Sequence, residues 1–226
     1  MRFLVCGSWR QALGVVLVAC GPLVASADEG LEWIERMNQA LVSRNYSGTF
    51  LHERGGQSES LQVHHRVRGG QISERLASLD GSGREFIRRG EEVIYVLPDQ
   101  QRLISERRPR NASLLPRFPQ LDERSADLYV VSPVTRTRLT ARDVRLVSIT
   151  PRDPFRYGYR AWIDSRTHLP LKTELFDNEG NVLERVTFTS LSLLRDLPDE
   201  AFNPAVDTSA FQQVRLEPPR PRIQRV

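Results

Sequence analysis

Cysteine is almost absent from this sequence of 226 residues, which has only Cys6 and Cys20. Both lie within the first 27 residues, which we expect to be removed from the mature protein. A chain that begins at Asp28 has no thiol, and this excludes a disulfide, a thiolate metal site and a cysteine nucleophile. The stability of the mature chain must then come from an apolar core.

The first 27 residues have the features of a secretory signal. Arg2 and Arg10 are followed by a mostly apolar run, residues 12–24, which is shorter than the roughly 20 residues that a membrane-spanning helix needs. Ala25–Ala27 is a small-residue cleavage site. We therefore expect the mature chain to begin at Asp28 and to be exported from the cytoplasm.

A second interpretation of the same segment is a lipoprotein signal. The residues Leu17–Cys20 fit that pattern and would leave a lipid on Cys20. The apolar run continues past Cys20 to Val24, which favours cleavage after Ala27. The sequence therefore favours a product without a lipid anchor.

Lysine is also scarce, because Lys172 is the only one in the chain. The formal charge of +4 becomes +2 when Arg2 and Arg10 are removed with the signal. A mature chain with so small a net charge gives no basis for predicting nucleic-acid binding. No apolar run after residue 28 is long enough to span a membrane.

Motifs of catalysis are missing as well. The chain has no nucleophile elbow, phosphate loop, zinc-protease motif or dinucleotide fingerprint. His64 and His65 are adjacent in a predicted strand and point to opposite faces. A two-residue turn would place His52 opposite Glu59, and His168 falls in a predicted turn. We therefore predict no enzyme activity, no metal site and no cofactor.

One amphipathic helix is predicted near the start of the mature chain. Apolar residues recur at helical spacing within residues 30–44, and Asp28 and Glu29 precede them, where negative charge suits a helix N-terminus. The apolar stripe predicts a helix that packs on a sheet. Its members are Leu31, Ile34, Met37, Leu41 and Val42.

Short segments separated by turn residues predict about eleven antiparallel strands. Gly55-Gly56 is typical of a two-residue hairpin turn. The last three strands follow each other through short connections and form a meander. The predicted strands are 47–54, 58–67, 72–79, 84–89, 93–97, 102–106, 130–139, 144–149, 157–163, 171–176 and 182–190. A short helix is predicted over residues 121–129.

A long irregular loop, residues 107–120, interrupts the strands. Long loops in compact domains are often functional or disordered. Its apolar side chains either plug a concave sheet, the interpretation that the sequence favours, or present a hydrophobic contact. These side chains are Leu114, Leu115 and Phe118.

The segment 150–159 combines arginine with aromatic residues, which are enriched at interface hot spots. It therefore provides candidate partner-binding or lipid-binding residues, namely Arg152, Phe155, Arg156, Tyr157 and Tyr159, and Trp162 in the strand that follows is a further candidate. The alternative, which we favour, is that positions 157, 159, 161 and 163 form the core face of one strand. If the aromatic face and Trp162 instead line a concave sheet, a lipid chain has room there.

Beyond Leu197 the strand pattern fades. Phe202 and Phe211 are expected to anchor a segment that covers one edge of the sheet. We place the domain boundary at residue 211 and predict an extended Pro/Arg-rich tail over 212–226.

An ordered series of short motifs resembles the amino-terminal domain of the RseB/MucB family over most of residues 30–195. The motifs are Tyr46-Ser47-Gly48-Thr49-Phe50, Glu53-Arg54, His65-Arg66-Val67, Glu74-Arg75-Leu76, Thr150-Pro151-Arg152-Asp153, Arg156-Tyr157-Gly158, Asp164, Leu169-Pro170-Leu171-Lys172, Gly180, Leu183-Glu184-Arg185 and Phe188-Thr189. The resemblance implies a mainly β, α+β fold like that of the LolA/LolB carriers: a strongly curved antiparallel sheet, or unclosed barrel, with covering helices.

The same resemblance implies a function. The family consists of periplasmic regulators that bind the periplasmic part of an RseA/MucA-like anti-sigma factor and shield it from proteolysis. Lipopolysaccharide or lipoprotein acyl chains would release it, and a homodimer is possible. The family's second, smaller domain is expected to be absent here. The alternative function is a lipid or lipoprotein carrier of the LolA/LolB type.

Overall fold

The computed structural model describes residues 24–109, 114–115, 118 and 127–216. Within these ranges there is one α-helix, α1, Val24–Ser43. The helix begins before Asp28, so Asp28 and Glu29 lie inside it and not at its N-terminus as the sequence suggested. Most of the short helix predicted over 121–129 lies outside the described residues, and Tyr129, its last position, begins a strand.

Thirteen strands follow the helix in the described part of the chain. They are β1 Tyr46–Arg54, β2 Gln57–Arg68, β3 Gln71–Ser78, β4 Glu85–Arg89, β5 Glu92–Leu97, β6 Arg102–Arg107, β7 Tyr129–Val131, β8 Thr135–Leu139, β9 Arg142–Pro151, β10 Gly158–Asp164, β11 Pro170–Phe176, β12 Val182–Leu193 and β13 Gln212–Leu216. A short 3-10 turn, Asp199–Phe202, precedes β13.

Two differences explain why thirteen strands are found and about eleven were predicted. The strand predicted over 130–139 is divided into β7 and β8 by Ser132–Val134, where Pro133 cannot donate to a strand ladder. Residues 212–216, assigned from the sequence to the tail, form β13, which pairs in parallel with β6. The other predicted strands are confirmed to within a few residues.

All thirteen strands belong to one mixed, almost entirely antiparallel sheet. Strands β1 to β6 are neighbours in chain order, and so are β9 to β12. The pairing of β1 with β12 joins these two halves into a single sheet. Its two ends, β13 at one side and β7 with β8 at the other, do not pair with each other. The sheet is therefore the unclosed curved sheet that the resemblance implied.

Turn chemistry sets the register between neighbouring strands. Gly55 and Gly56 have φ of 57° and 78°, the left-handed values that a two-residue hairpin turn requires. The resulting register places His52 opposite Glu59, as predicted. Because the side chains alternate between faces, this register decides which residues lie beneath the helix.

Helix α1 lies on one face of the sheet and buries the centre of the predicted apolar stripe, whereas Leu31 and Val42 are only half-buried. Ile34, Met37 and Leu41 are at most 4% exposed. Met37 belongs to a cluster that includes Ala161 and Ile163 of β10, both fully buried. We call this side of the sheet the helix face.

A row of four polar side chains on neighbouring strands is also buried on the helix face, and we call it the buried polar row. Tyr46, His65, Glu74 and Arg88 lie opposite one another on β1, β2, β3 and β4, and each is at most 1% exposed. The rings of Tyr46 and His65 stack at 4.7 Å. Glu74 lies 3.7 Å from His65 Nε2 and 3.3 Å from Arg88 Nη1. Such a charge pair survives burial only because its groups are mutually paired and hydrogen-bonded.

The opposite, outer face of β2–β5 is covered by the segment after β12. Phe202 is 2% exposed and lies under the guanidinium of Arg66, 4.7 Å from the ring centroid. Ala205 N–H donates to Glu85 at 2.9 Å. Phe202 is thus confirmed as an anchor, but the segment covers a face of the sheet and not one edge as predicted, and Phe211 is only half-buried.

Candidate functional site

The turn between β9 and β10, residues 152–157, holds four of the candidates proposed from the sequence. Asp153 organises it: one carboxylate oxygen accepts the Phe155 N–H at 3.0 Å, and the other pairs with Arg156. The Arg152 N–H donates to Leu128 O at 2.9 Å. The turn is therefore held in one shape by the Asp153 carboxylate and by a backbone hydrogen bond to Leu128. We call it the Phe155 turn.

This well-held turn exposes a large aromatic side chain. Phe155 is 90% exposed and Tyr157 is 53% exposed. Val130, in register with Thr150 at the base of the turn, is 45% exposed. An exposed phenylalanine forgoes the roughly 1.5–3 kcal/mol that full burial of its side chain is worth. Exposed apolar patches mark contact surfaces, and these three exposed residues lie on the turn or at its base.

Two other candidates lie apart from the turn. Tyr159 is on the helix face, where its ring is 5.4 Å from that of Phe118, and burial raises the pKa of its phenol. Trp162 is on the outer face, with Lys172 Nζ 4.3 Å from its ring centroid. The hypothesis that Trp162 and the aromatic residues of β10 share one lining is therefore wrong, because odd and even positions face opposite ways.

The sequence favoured a core face formed by positions 157, 159, 161 and 163. This interpretation is correct for three of these four positions. Tyr159, Ala161 and Ile163 pack beneath α1 in the same cluster. Tyr157 precedes the strand and is exposed, so it does not belong to the core face.

The apolar residues of the long loop plug the helix face, as the sequence favoured. Leu115 is 5% exposed and packs in a cluster with Leu41. Phe118 is 6% exposed and packs in the cluster of Trp33 and Ile34. Leu114 is half-buried. The cavity beside Leu115 measures only ≈ 10 Å³, about the room for one water.

The buried polar row forms hydrogen bonds to this loop. Sequence reasoning did not predict these bonds. Glu74 accepts the Leu114 N–H at 3.2 Å, and Arg88 Nη2 donates to Pro109 O at 3.1 Å. The positions of Glu74 and Arg88 in strands with a buried face were the available signal. Without the register, however, the two residues cannot be recognised as neighbours.

A second charge cluster spans the outer face. Glu174, with its side chain 5% exposed, is paired with Arg160, Lys172 and Arg185 at 2.8–3.2 Å. Burial alone would raise the pKa of Glu174, but the hydrogen bonds from Lys172 and Arg185 outweigh it and hold the pKa below its usual 4.5. Each cation of this cluster is in contact with a carboxylate, which is the arrangement of a structural network.

A cavity of ≈ 800 Å³ forms a groove on the outer face between the 3-10 turn and the strands beneath it. Arg66 Nη1 donates to Leu197 O at 2.7 Å, and Arg89 Nη2 donates to Phe202 O at 3.1 Å. These arginines therefore hold the covering segment on the sheet.

Metal-binding geometry is not found in the part of the chain that the structure describes. Its residues form no group of three or more His, Cys, Asp or Glu side chains that could hold a metal ion. Among the same residues, no helix is long and apolar enough to cross a membrane.

These features define a class of protein: an open, curved antiparallel sheet packed on one helix, with an exposed aromatic turn at one edge. The profile of the MucB/RseB N-terminal domain matches residues 29–206. The chain therefore belongs to the MucB/RseB family, through that domain.

Comparisons with individual proteins support the same family assignment. The chain is 32% identical over 185 residues to the sigma factor AlgU regulatory protein MucB of Pseudomonas aeruginosa, covering 78% of this chain and 56% of that protein. A crystal structure of MucB matches with a TM-score of 0.66 and 30% identity, over 86% of this chain and 67% of that one. A structure of MucB in complex with MucA(peri) matches with a TM-score of 0.58 and 30% identity, over 73% and 55%. The chain thus spans little more than half of its curated relative.

Proposed function

We propose that this protein is a periplasmic regulator that binds the periplasmic segment of a MucA-type anti-sigma factor and shields it from proteolysis. The observation that carries the proposal is the exposed Phe155 turn on a domain of the MucB/RseB family. The matched structure of MucB bound to MucA(peri) supports the choice of partner. The proposed role needs no catalytic residue, because covering a cleavage site is enough to protect it.

The Phe155 turn suits partner binding because its shape is set before the partner arrives. Asp153 holds the backbone of Phe155 and the guanidinium of Arg156. A surface that is already ordered loses little conformational entropy on association. Phe155 supplies an aromatic anchor and Arg152 an exposed charge beside it, which is the combination found at interface hot spots.

Release by an acyl chain of lipopolysaccharide or lipoprotein requires the helix face to open. The cavity beside Leu115 holds about one water, so an acyl chain enters only if Leu115 and Phe118 leave their places. Those residues follow Pro109 and Leu114, which Arg88 and Glu74 hold. A ligand that binds only the opened form lowers partner affinity by its preference for that form. Because Leu115 and Phe118 leave no room for an acyl chain in this state, the structure argues against the alternative function of a lipid carrier.

The test is binding of residues 28–226 to fluorescently labelled MucA(peri), followed by anisotropy, with and without lipopolysaccharide. We expect saturable binding that lipopolysaccharide reverses, together with slower cleavage of MucA(peri) by its protease. A protein that binds no MucA(peri) contradicts the regulatory role. If that protein also carries acyl chains that can be extracted with organic solvent, the carrier function replaces it.

A further inference from the structure

Strand β8, Thr135–Leu139, is an edge strand. It pairs with β9 on one side, and no strand of the described ranges pairs with its other side. Residues 135–138 are all exposed. An exposed edge presents unpaired N–H and C=O groups, which form a ready template for an added strand.

Positive charge accumulates along this edge. Arg136 lies directly opposite Arg145 in the register of β8 and β9. Like charges at directly opposed positions destabilise a strand pair. Among the residues that the structure describes, the Arg145 guanidinium contacts neutral groups: it donates to Ser165 Oγ at 2.9 Å and lies 5.4 Å from the Trp33 ring centroid. Arg136 forms no ion pair with the residues that the structure describes. Within the described part of the chain, the repulsion therefore has no compensating anion at this position.

The positive charge of Arg138, the next arginine on the same face of β8, is also only weakly compensated. Arg138 lies 3.6 Å from Asp143, and these two side chains are 71% and 78% exposed. An ion pair so open to water is weak and is screened by salt. Arg136 and Arg138 lie two residues apart, so they project to the same face of the edge.

We infer that β8 is the docking edge for an extended, acidic segment of the partner protein, which adds as a strand and places acidic side chains, two residues apart, beside Arg136 and Arg138. This inference rests on the proposed function and names the partner surface more closely. Backbone hydrogen bonds along the edge supply the attachment. The charges set its register and speed its association.

Hydrogen exchange combined with charge reversal tests this edge. The exchange of β8 amides in residues 28–226 is followed by mass spectrometry with and without MucA(peri). The affinity of the R136E/R138E variant for MucA(peri) is then measured at low and high salt. The control is R102E/R215E, which makes the same charge change at two exposed arginines at the opposite end of the sheet.

We expect MucA(peri) to protect residues 135–139, and R136E/R138E to bind at least tenfold more weakly and with less dependence on salt, while the control binds like the wild type. If the wild type binds without protecting β8 and R136E/R138E binds equally well, the inference is overturned and the proposed function stands. The arginines then only guard the edge against aggregation. If the wild type does not bind, the inference falls together with the proposed function.

Discussion

Gly158 and Phe176 face each other across β10 and β11, and the Phe176 ring occupies the space where a side chain of residue 158 would be. A Cβ added to Gly158 would lie 2.2 Å from Phe176 Cζ and 2.3 Å from Cε2. The Arg160 guanidinium lies 4.1 Å from the centroid of the same ring. The Phe176 ring thus covers Gly158. Strand β10, which follows the Phe155 turn, therefore begins at a position where only glycine fits.

Gly158→Ala should therefore destabilise the protein by about 1–3 kcal/mol, the usual cost of forcing extra atoms into a packed site. Urea unfolding measures the change. In a Phe176→Leu background the cost of Gly158→Ala should shrink, because the ring that blocks the new Cβ is gone. An equal cost in both backgrounds would show that the ring is not the reason for the glycine.

Glu74→Gln should reduce the free energy of unfolding by about 3–5 kcal/mol, because the buried Arg88 guanidinium loses the carboxylate charge that lies 3.3 Å from it. Chemical denaturation is the measurement. The matched control is Glu92→Gln, an exposed glutamate on β5, which should change stability by less than about 0.5 kcal/mol. A loss below about 1 kcal/mol for Glu74→Gln would mean that the buried pair does not hold this part of the fold.

Phe155→Ala should leave stability unchanged, since the side chain is 90% exposed, and should weaken binding to MucA(peri) about tenfold or more. Anisotropy titration and thermal unfolding separate the two effects. Leu79→Ala removes another exposed apolar side chain, 51% exposed, away from the turn, and should bind normally. Wild-type affinity in Phe155→Ala would exclude the turn from the interface.

The free energy of unfolding at acidic pH should depend on Glu174. Its pKa is lower in the folded protein than in the unfolded chain, so the unfolded chain binds more protons as the pH falls. The stabilisation is therefore complete above about pH 4.5 and is lost below it. Glu174→Gln should make the free energy of unfolding fall less steeply between pH 5 and pH 3. The control Glu179→Gln, at an exposed turn, should retain the wild-type slope.

Local patterns were enough to predict most strands and the helix. The spacing of Ile34, Met37 and Leu41 reports a single buried stripe, and Gly55-Gly56 allows only a short list of turns. The candidate site was predicted in part. Phe155 and Tyr157 are exposed as a binding surface requires, whereas Tyr159 and Trp162 lie on opposite faces of β10, away from the turn.

The remaining features depend on residues that are distant in sequence. Nothing near Phe50 or Phe188 indicates that β1 pairs with β12, yet this pairing turns two sets of strands into one sheet. The parallel attachment of β13 to β6 and the meeting of Glu74 with Leu114 are of the same kind.

The sequence by itself determined the elements, the hairpins and the family, because these depend on side-chain periodicity, turn chemistry and short ordered motifs. Only the tertiary structure decided which strands became edges, which charges were buried together and which aromatic residue remained in water. Those outcomes follow from packing the whole sheet around α1, where each pairing is selected by the apolar surface that it buries and the polar groups that it satisfies.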